Sequence, residues 1–135
     1  MAAAVGMKWR IFFESGKAAR VSALVAGLGV ALGALGAHPL KPVLLQRPDG
    51  PEIWGTAVLY HLVHAVVMLV VAGQGARANR TAWALMLAGI VVFSGSLYGL
   101  GTTGWKALGP VTPLGGLFLL AGWAALAWRP ARPLD

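Results

Sequence analysis

The chain of 135 residues has no cysteine. This excludes a disulfide framework, a thiolate metal site and a thiol nucleophile, and it leaves the redox compartment unmarked. Acidic residues are almost as scarce: Glu14, Asp49, Glu52 and Asp135 are the only four, and charged residues together make up 11% of the chain. A globular domain carries roughly 25%, so too few polar side chains exist to coat a water-soluble surface. Walker-type phosphate loops, HExxH motifs and nucleophile–base–acid sets are also missing. Glu52, beside Pro51, reads as a favourable charge in the first turn of a helix and not as a catalytic carboxylate. The expectation is a protein that is not an enzyme and has no catalytic residues.

What is present is apolar: 58% of the residues are hydrophobic and mean hydropathy is +0.72. The net charge of +7 could suggest nucleic acid, yet Lys and Arg form no dense patch and instead flank apolar stretches. That placement marks membrane orientation. Four windows carry no charge at all, 21–40, 53–76, 81–105 and 107–128. Each reaches the roughly 20 residues a helix needs to cross hydrocarbon. The predicted fold class is all-α, an integral membrane four-helix bundle running up-down-up-down.

Breakers set the span limits. Span one covers about 18–38, ending at His38 because Pro39 and Pro42 follow. The loop 39–50 holds three prolines and an Asp-Gly pair, so span two covers about 52–73, with Asp49 as a candidate cap. Span three covers about 82–101, and Pro110 and Pro113 leave span four only about 112–128, with 105–111 at the interface. Residues 1–17 form a basic tail or a short interfacial segment, for which Trp9, Ile11, Phe12 and Phe13 beside Lys8 and Arg10 are suited. This region lacks the apolar core of a cleaved secretory signal. Residues 129–135 form a basic carboxyl tail.

Orientation follows from the cations outside the spans. Eight (Lys8, Arg10, Lys17, Arg20, Arg77, Arg80, Arg129, Arg132) lie on one side and three (Lys41, Arg47, Lys106) on the other. The positive-inside rule then puts both termini on the cytoplasmic side, or the matrix side in a mitochondrion. In that register Trp9, Trp83 and Trp128 line the inner boundary and Trp54 and Trp105 the outer one, leaving only Trp123 well inside a span.

Small residues spaced by four permit close backbone approach between helices. Span one has two such rows, Ala23–Gly27–Ala31 and Gly29–Gly33–Ala37, with Gly36 near the second. Gly95 and Gly99 repeat the spacing in span three, and Ala121 and Ala125 in span four. The predicted helix-packing glycines are Gly29, Gly33, Gly36, Gly95 and Gly99.

Polar residues within the spans carry the remaining information, because ionisable groups in a membrane face the bundle interior or a cavity. Besides tyrosines these are His38, His61 and His64. With 1.5 Å of rise per residue, His61 lies about 10 Å and His64 about 15 Å below Trp54, so the three form a ladder in the outer half of the membrane. Ser94 and Tyr98 reach a similar depth on one face of span three, Ser96 points nearly opposite, and Tyr60 and Thr112 add hydroxyls. Three readings compete for this cluster. One is interhelical hydrogen bonding. Another is a metal or haem site using neutral imidazoles, although two histidines on one helix face cannot supply opposite axial ligands. The third is a proton or small-solute path, which no Asp or Glu within a span would complete.

Several segments together carry a resemblance. Gly33 to His38 (GALGAH), Thr56 to Tyr60 (TAVLY) with His64, Phe93 to Tyr98 (FSGSLY), and Val111 to Gly116 (VTPLGG) leading to Ala121 to Trp123 (AGW) resemble, in order, the small four-span membrane proteins that include bacterial YgdD and human transmembrane protein 256. That family is grouped under a domain of unknown function. The resemblance implies a multi-pass protein of the bacterial inner membrane or the mitochondrial inner membrane, and it brings no activity, metal or cofactor. His38, Tyr60, His64, Ser94, Ser96, Tyr98, Thr112 and Pro113 fall on the family's motif positions. His61 stands where the pattern has glutamine, which points to a hydrogen-bonding partner more than to a metal ligand.

Residues and resemblance together lead to the expectation of an accessory or structural membrane subunit, with the lipid bilayer and either other subunits or its own copies as partners, and with no nucleic acid or soluble substrate. Reporter fusions at the two termini should both face the cytoplasm or matrix; one terminus on the outer side would overturn the orientation argument.

Overall fold

The computed structural model describes residues 2–75 and 78–128, without the side chains of residues 2–5 and Trp9. Arg77, the Trp9 side chain and the tail 129–135 therefore lie outside the described residues. Helix α1 (Ala2–Glu14) turns at Gly16 into α2 (Lys17–Ala37). Gly16 has φ +74°, a left-handed conformation that other residues rarely adopt. After His38 and Pro39, a single turn α3 (Lys41–Leu44) leads to α4 (Gly50–Ala72). The third long helix is composite: α5 (Arg80–Gly89), a π-helical turn (Ile90–Ser94) and α6 (Gly95–Thr103). A 3-10 turn (Lys106–Leu108) precedes α7 (Val111–Ala127). Among the described residues, four helical stretches are long and apolar enough to cross a membrane: Lys17–Ala37, Gly50–Ala72, Arg80–Thr103 and Lys106–Ala127.

The helices do not share burial equally. Helix α4 lies between α2 and the composite third span, and α7 packs on the far side of that span against α5 and the π turn. In the most apolar window of each span, 39% of the residues are buried for α4 and the third span but only 17% for α2 and the fourth span. Two central helices thus form the core, and the two outer helices are left largely unburied by the rest of the chain.

Glycines set the distance between these layers. A Cβ on Gly29 would come within 2.8 Å of Leu62 and 3.2 Å of His61, and one on Gly33 within 3.3 Å of Val58. A Cβ on Gly36 would collide with the indole of Trp54. All three lie on the α4 side of α2. Gly99 instead abuts Leu108 of the 3-10 turn, and nothing lies near Gly95. The expectation for Gly95 is corrected for a simple reason: its neighbours Ser94 and Ser96 bond to α4 and to Thr112 at the start of α7, so the residue between them faces the open side. The row Ala23–Gly27–Ala31 is likewise exposed. The glycines not anticipated are those holding α7. Gly89 receives Leu119, Gly122 lies 3.0 Å from Met86 by its missing Cβ, and Gly115 meets the backbone of Phe93.

Gly115 and the π turn are two sides of one contact. The amide of Gly95 reaches back five residues to the carbonyl of Ile90, widening the helix by one residue. Helix α7 meets the Phe93 backbone at Gly115, and a side chain at 115 would occupy the space of the Phe93 main chain.

At the other end, α1 covers the bundle. Phe13 is buried with Met68, Val71, Trp83 and Met86, and Phe12 and Phe13 meet the Trp83 ring edge-on at 5.6 and 5.7 Å. Trp83 was expected to line the inner boundary, but it is 3% exposed. Its indole N–H donates to Ser22 Oγ at 2.9 Å, and Ser22 donates to the Ala18 carbonyl at 2.8 Å. Covered by α1, the ring has become core. Trp54 is also buried, at 6%, whereas Trp105 and Trp128 are exposed.

Gly115→Ala should lower stability in mild detergent by about 1–3 kcal/mol, the usual cost of overpacking. Gly95→Ala should leave it unchanged or raise it, because open space surrounds the site and alanine favours helix. Thermal unfolding of both variants checks this, and equal effects would contradict the assigned packing.

Candidate functional site

The polar residues of the spans gather around α4, on two flanks. On the α2 flank, His61 is 3% exposed. Its Nε2 lies 2.8 Å from the Val25 carbonyl of α2, and its Nδ1 lies 3.1 Å from the Tyr98 hydroxyl of α6. A carbonyl only accepts, so Nε2 carries the hydrogen and Nδ1 accepts from Tyr98. Trp54 adds a second tie about two turns up the flank, donating from Nε1 to the Leu32 carbonyl at 2.9 Å. The Trp54 and Tyr98 rings touch at 4.7 Å.

On the α7 flank the tautomer is the opposite. His64 Nδ1 lies 2.7 Å from the Tyr60 carbonyl one turn earlier, and Nε2 receives the indole N–H of Trp123 at 3.1 Å. Nδ1 therefore carries the hydrogen and Nε2 accepts. An indole N–H can only donate, which makes Nε2 of His64 the acceptor of this pair. Each imidazole thus has both ring nitrogens engaged.

The remaining hydroxyls work at helix contacts. Ser94 donates to the Ala57 carbonyl of α4 at 2.9 Å. Ser96 donates to the Phe93 carbonyl at 2.9 Å and shares a 2.7 Å hydrogen bond with Thr112. Two further ties lie at the helix ends. Asn79 caps α5 by accepting from the Ala82 amide at 3.0 Å and donates to the Ala125 carbonyl of α7 at 2.7 Å. Arg47 donates to the Thr102 carbonyl at 2.7 Å, its guanidinium lying over Gly104, which has φ +68°.

The structure brings together His61 with Tyr98, His64 with Trp123, and Ser96 with Thr112, and it joins Ser94 to α4. It does not bring in His38 or the Tyr60 hydroxyl. His38 is exposed at the end of α2, where the chain turns toward Pro39. Tyr60 is 41% exposed and contributes its carbonyl and its ring, which lies on Phe93 at 4.6 Å and stacks on His64 at 5.8 Å. The expected three-histidine ladder is therefore corrected: His61 meets α2 and Tyr98, His64 meets Trp123 of α7, and His38 stands apart. Among the described residues no three His, Asp or Glu side chains are grouped to hold a metal ion. Sequence reasoning missed Ser22, Trp54, Trp123, Asn79 and Arg47 as hydrogen-bonding residues. A signal existed for Trp123, since an indole N–H deep in a span needs an acceptor.

Comparison with known proteins adds the following. The profile of a family described as "Protein of unknown function (DUF423)" matches residues 32–116. The UPF0382 membrane protein YwdK of Bacillus subtilis is 44% identical over 109 residues, covering 76% of this chain and 86% of the relative. A UPF0382 membrane protein of Schizosaccharomyces pombe is 37% identical over 112 residues, covering 78% and 94%. One of Haemophilus influenzae is 38% identical over 103 residues, covering 73% and 81%. No solved structure matches the chain.

His61→Gln should change stability by less than about 1 kcal/mol, because an amide can both donate to Val25 and accept from Tyr98, whereas His61→Leu should cost about 1–3 kcal/mol. A double-mutant cycle on His64 and Trp123 should return a coupling of about 0.6 to 1.7 kcal/mol, the range for hydrogen bonds within membrane bundles. Thermal unfolding in detergent reads both; a His61→Gln loss equal to that of His61→Leu would contradict the hydrogen-bonding role.

Proposed function

The chain belongs to the DUF423/UPF0382 family of multi-pass membrane proteins, and on that premise we propose that it is an accessory or structural subunit of a membrane assembly, with no enzymatic activity of its own. The observation that carries this reading is the saturation of the interior: among the described residues no buried side-chain nitrogen or oxygen lacks a hydrogen-bond partner. The polar residues hold the helices to one another and leave no group for chemistry. Opportunity for interaction lies outside, on α2 and α7, where the row Ala23–Gly27–Ala31 offers a face on which another helix could pack closely.

In the proposed arrangement the four spans run up-down-up-down, with both termini on the cytoplasmic or matrix side of a bacterial inner membrane or a mitochondrial inner membrane. Two pairings support alternating directions. Leu32, late in α2, receives Trp54 from early in α4, and Ala125, late in α7, receives Asn79 from the start of α5.

Purification of the full chain from its native membrane in mild detergent should recover it in a stable assembly, with other subunits or with further copies of itself. Gly27→Leu should break that assembly while leaving the unfolding temperature of the single chain unchanged. A lone monomer across several detergents would overturn the proposal.

A further inference from the structure

Among the described residues the end of the bundle covered by α1 carries a surplus of cations without matching carboxylates. Lys8, Arg10, Lys17 and Arg20 are exposed there. The one acid nearby, Glu14, is engaged by Arg10 at 3.8 Å, and Asp49 and Glu52 lie at the far end of α4. Between α1 and α5 this end opens into a groove of about 530 Å³ lined by Gly6, Arg80, Thr81, Ala84 and Leu85. Its volume is that of an ordinary ligand pocket, roughly 300–1,000 Å³.

The groove is graded in polarity. At its mouth, Arg80 spends one guanidinium N–H on the Gly6 carbonyl at 3.0 Å. Five such donors are available on an arginine, so the fork remains open to an anion. Thr81 is exposed beside it. One helical turn deeper, about 5.4 Å, the wall becomes Ala84 and Leu85. Gly6 leaves the α1 side open, since a Cβ there would meet nothing. A cationic mouth leading onto an apolar wall at a membrane surface fits an amphiphile with an anionic head and a hydrocarbon tail.

We propose that this groove binds an anionic phospholipid, its phosphodiester held by Arg80 and Thr81 and an acyl chain lying along Ala84 and Leu85. Charge complementarity sets the head, because a planar guanidinium fork matches phosphate oxygens, and the surrounding cations add attraction for an anionic leaflet. The bound lipid would tie α1 to α5, reinforcing the single hydrogen bond between Arg80 and Gly6. Such a lipid could be held whether or not the protein is a subunit of a larger assembly.

Native mass spectrometry of the full chain in mild detergent, offered equal amounts of phosphatidylglycerol and phosphatidylcholine, tests it. The wild type should retain phosphatidylglycerol about fivefold over phosphatidylcholine, the ratio expected for one cation at an anionic head. Arg80→Gln should bring the ratio close to one, Ala84→Phe, which fills the groove and keeps the cation, should lose retained lipid, and Lys106→Gln at the opposite end should behave as wild type. Equal retention of the two lipids by the wild type overturns the proposal, as does an unchanged preference in Arg80→Gln. Displacement of the lipid by excess inorganic phosphate would identify a free-anion site and also overturn it. Should Arg80→Gln fail to fold, Ala84→Phe decides alone, and undiminished lipid retention there overturns the proposal.

Discussion

A polar side chain within hydrocarbon has no water to turn to, and the acceptor most often within reach is a helix carbonyl whose second lone pair is unused. That constraint recurs throughout this bundle. Trp54 and His61 donate to the Leu32 and Val25 carbonyls of α2, Ser94 to the Ala57 carbonyl of α4, and Asn79 to the Ala125 carbonyl of α7. In each case a side chain from one helix is bonded to the main chain of another. Such a bond fixes rotation and depth together, because an acceptor carbonyl belongs to one residue on one face. Apolar contacts alone would not do this, since lipid tails are as apolar as leucine and give helices little reason to prefer each other.

Reaching a neighbouring carbonyl requires close backbones, which ties the hydrogen bonds to the glycines. Gly29 lies against His61 and Gly36 against Trp54, so each donor of α4 that reaches α2 has a glycine of α2 beside it. A larger residue at either would displace the donor as well as the helix. On the α7 side Gly115 serves the π turn in the same way, admitting the Phe93 backbone. The extra residue in that turn shifts the phase of α6, so that Ser94 and Tyr98 are bonded to α4 while Ser96 meets Thr112. Close approach and hydrogen-bond register are therefore one design feature and not two.

The spans were legible because charge is so scarce that its silences mark helices: the windows 21–40, 53–76, 81–105 and 107–128 each overlie one apolar stretch in the structure. Spacing also separated Ser94 and Tyr98 from Ser96 by face. Features that depend on three dimensions were not legible. Tryptophans near span ends read as interfacial anchors, but α1 folding over Trp83 and the approach of Gly36 to Trp54 turned both into core residues, and neither event leaves a local pattern. His38 belongs to the same half of the sequence pattern as His61, but it ends α2 well beyond Val25, the residue of that helix that His61 reaches, so the two imidazoles lie about 20 Å apart along the helix. The small pair Gly95 and Gly99 has the spacing of a packing motif without a helix opposite it. The π turn was invisible because it answers to the backbone fit at Gly115, a contact between residues more than twenty positions apart.

The paired tautomers bear on what kind of protein this is. A proton relay needs a group that can accept on one side and release on the other as its partners change. His64 has a carbonyl at one nitrogen and an indole N–H at the other, partners that cannot exchange roles, and His61 is bounded by the Val25 carbonyl on one side. A metal would have to displace Trp123 or Tyr98 to reach either ring. The bonds that join the helices thus also occupy the ring nitrogens that a relay or a metal would need. What stays open is the outer surface of α2 and α7 and the cationic end, and it is there that the proposed contacts with lipid and with other chains would form.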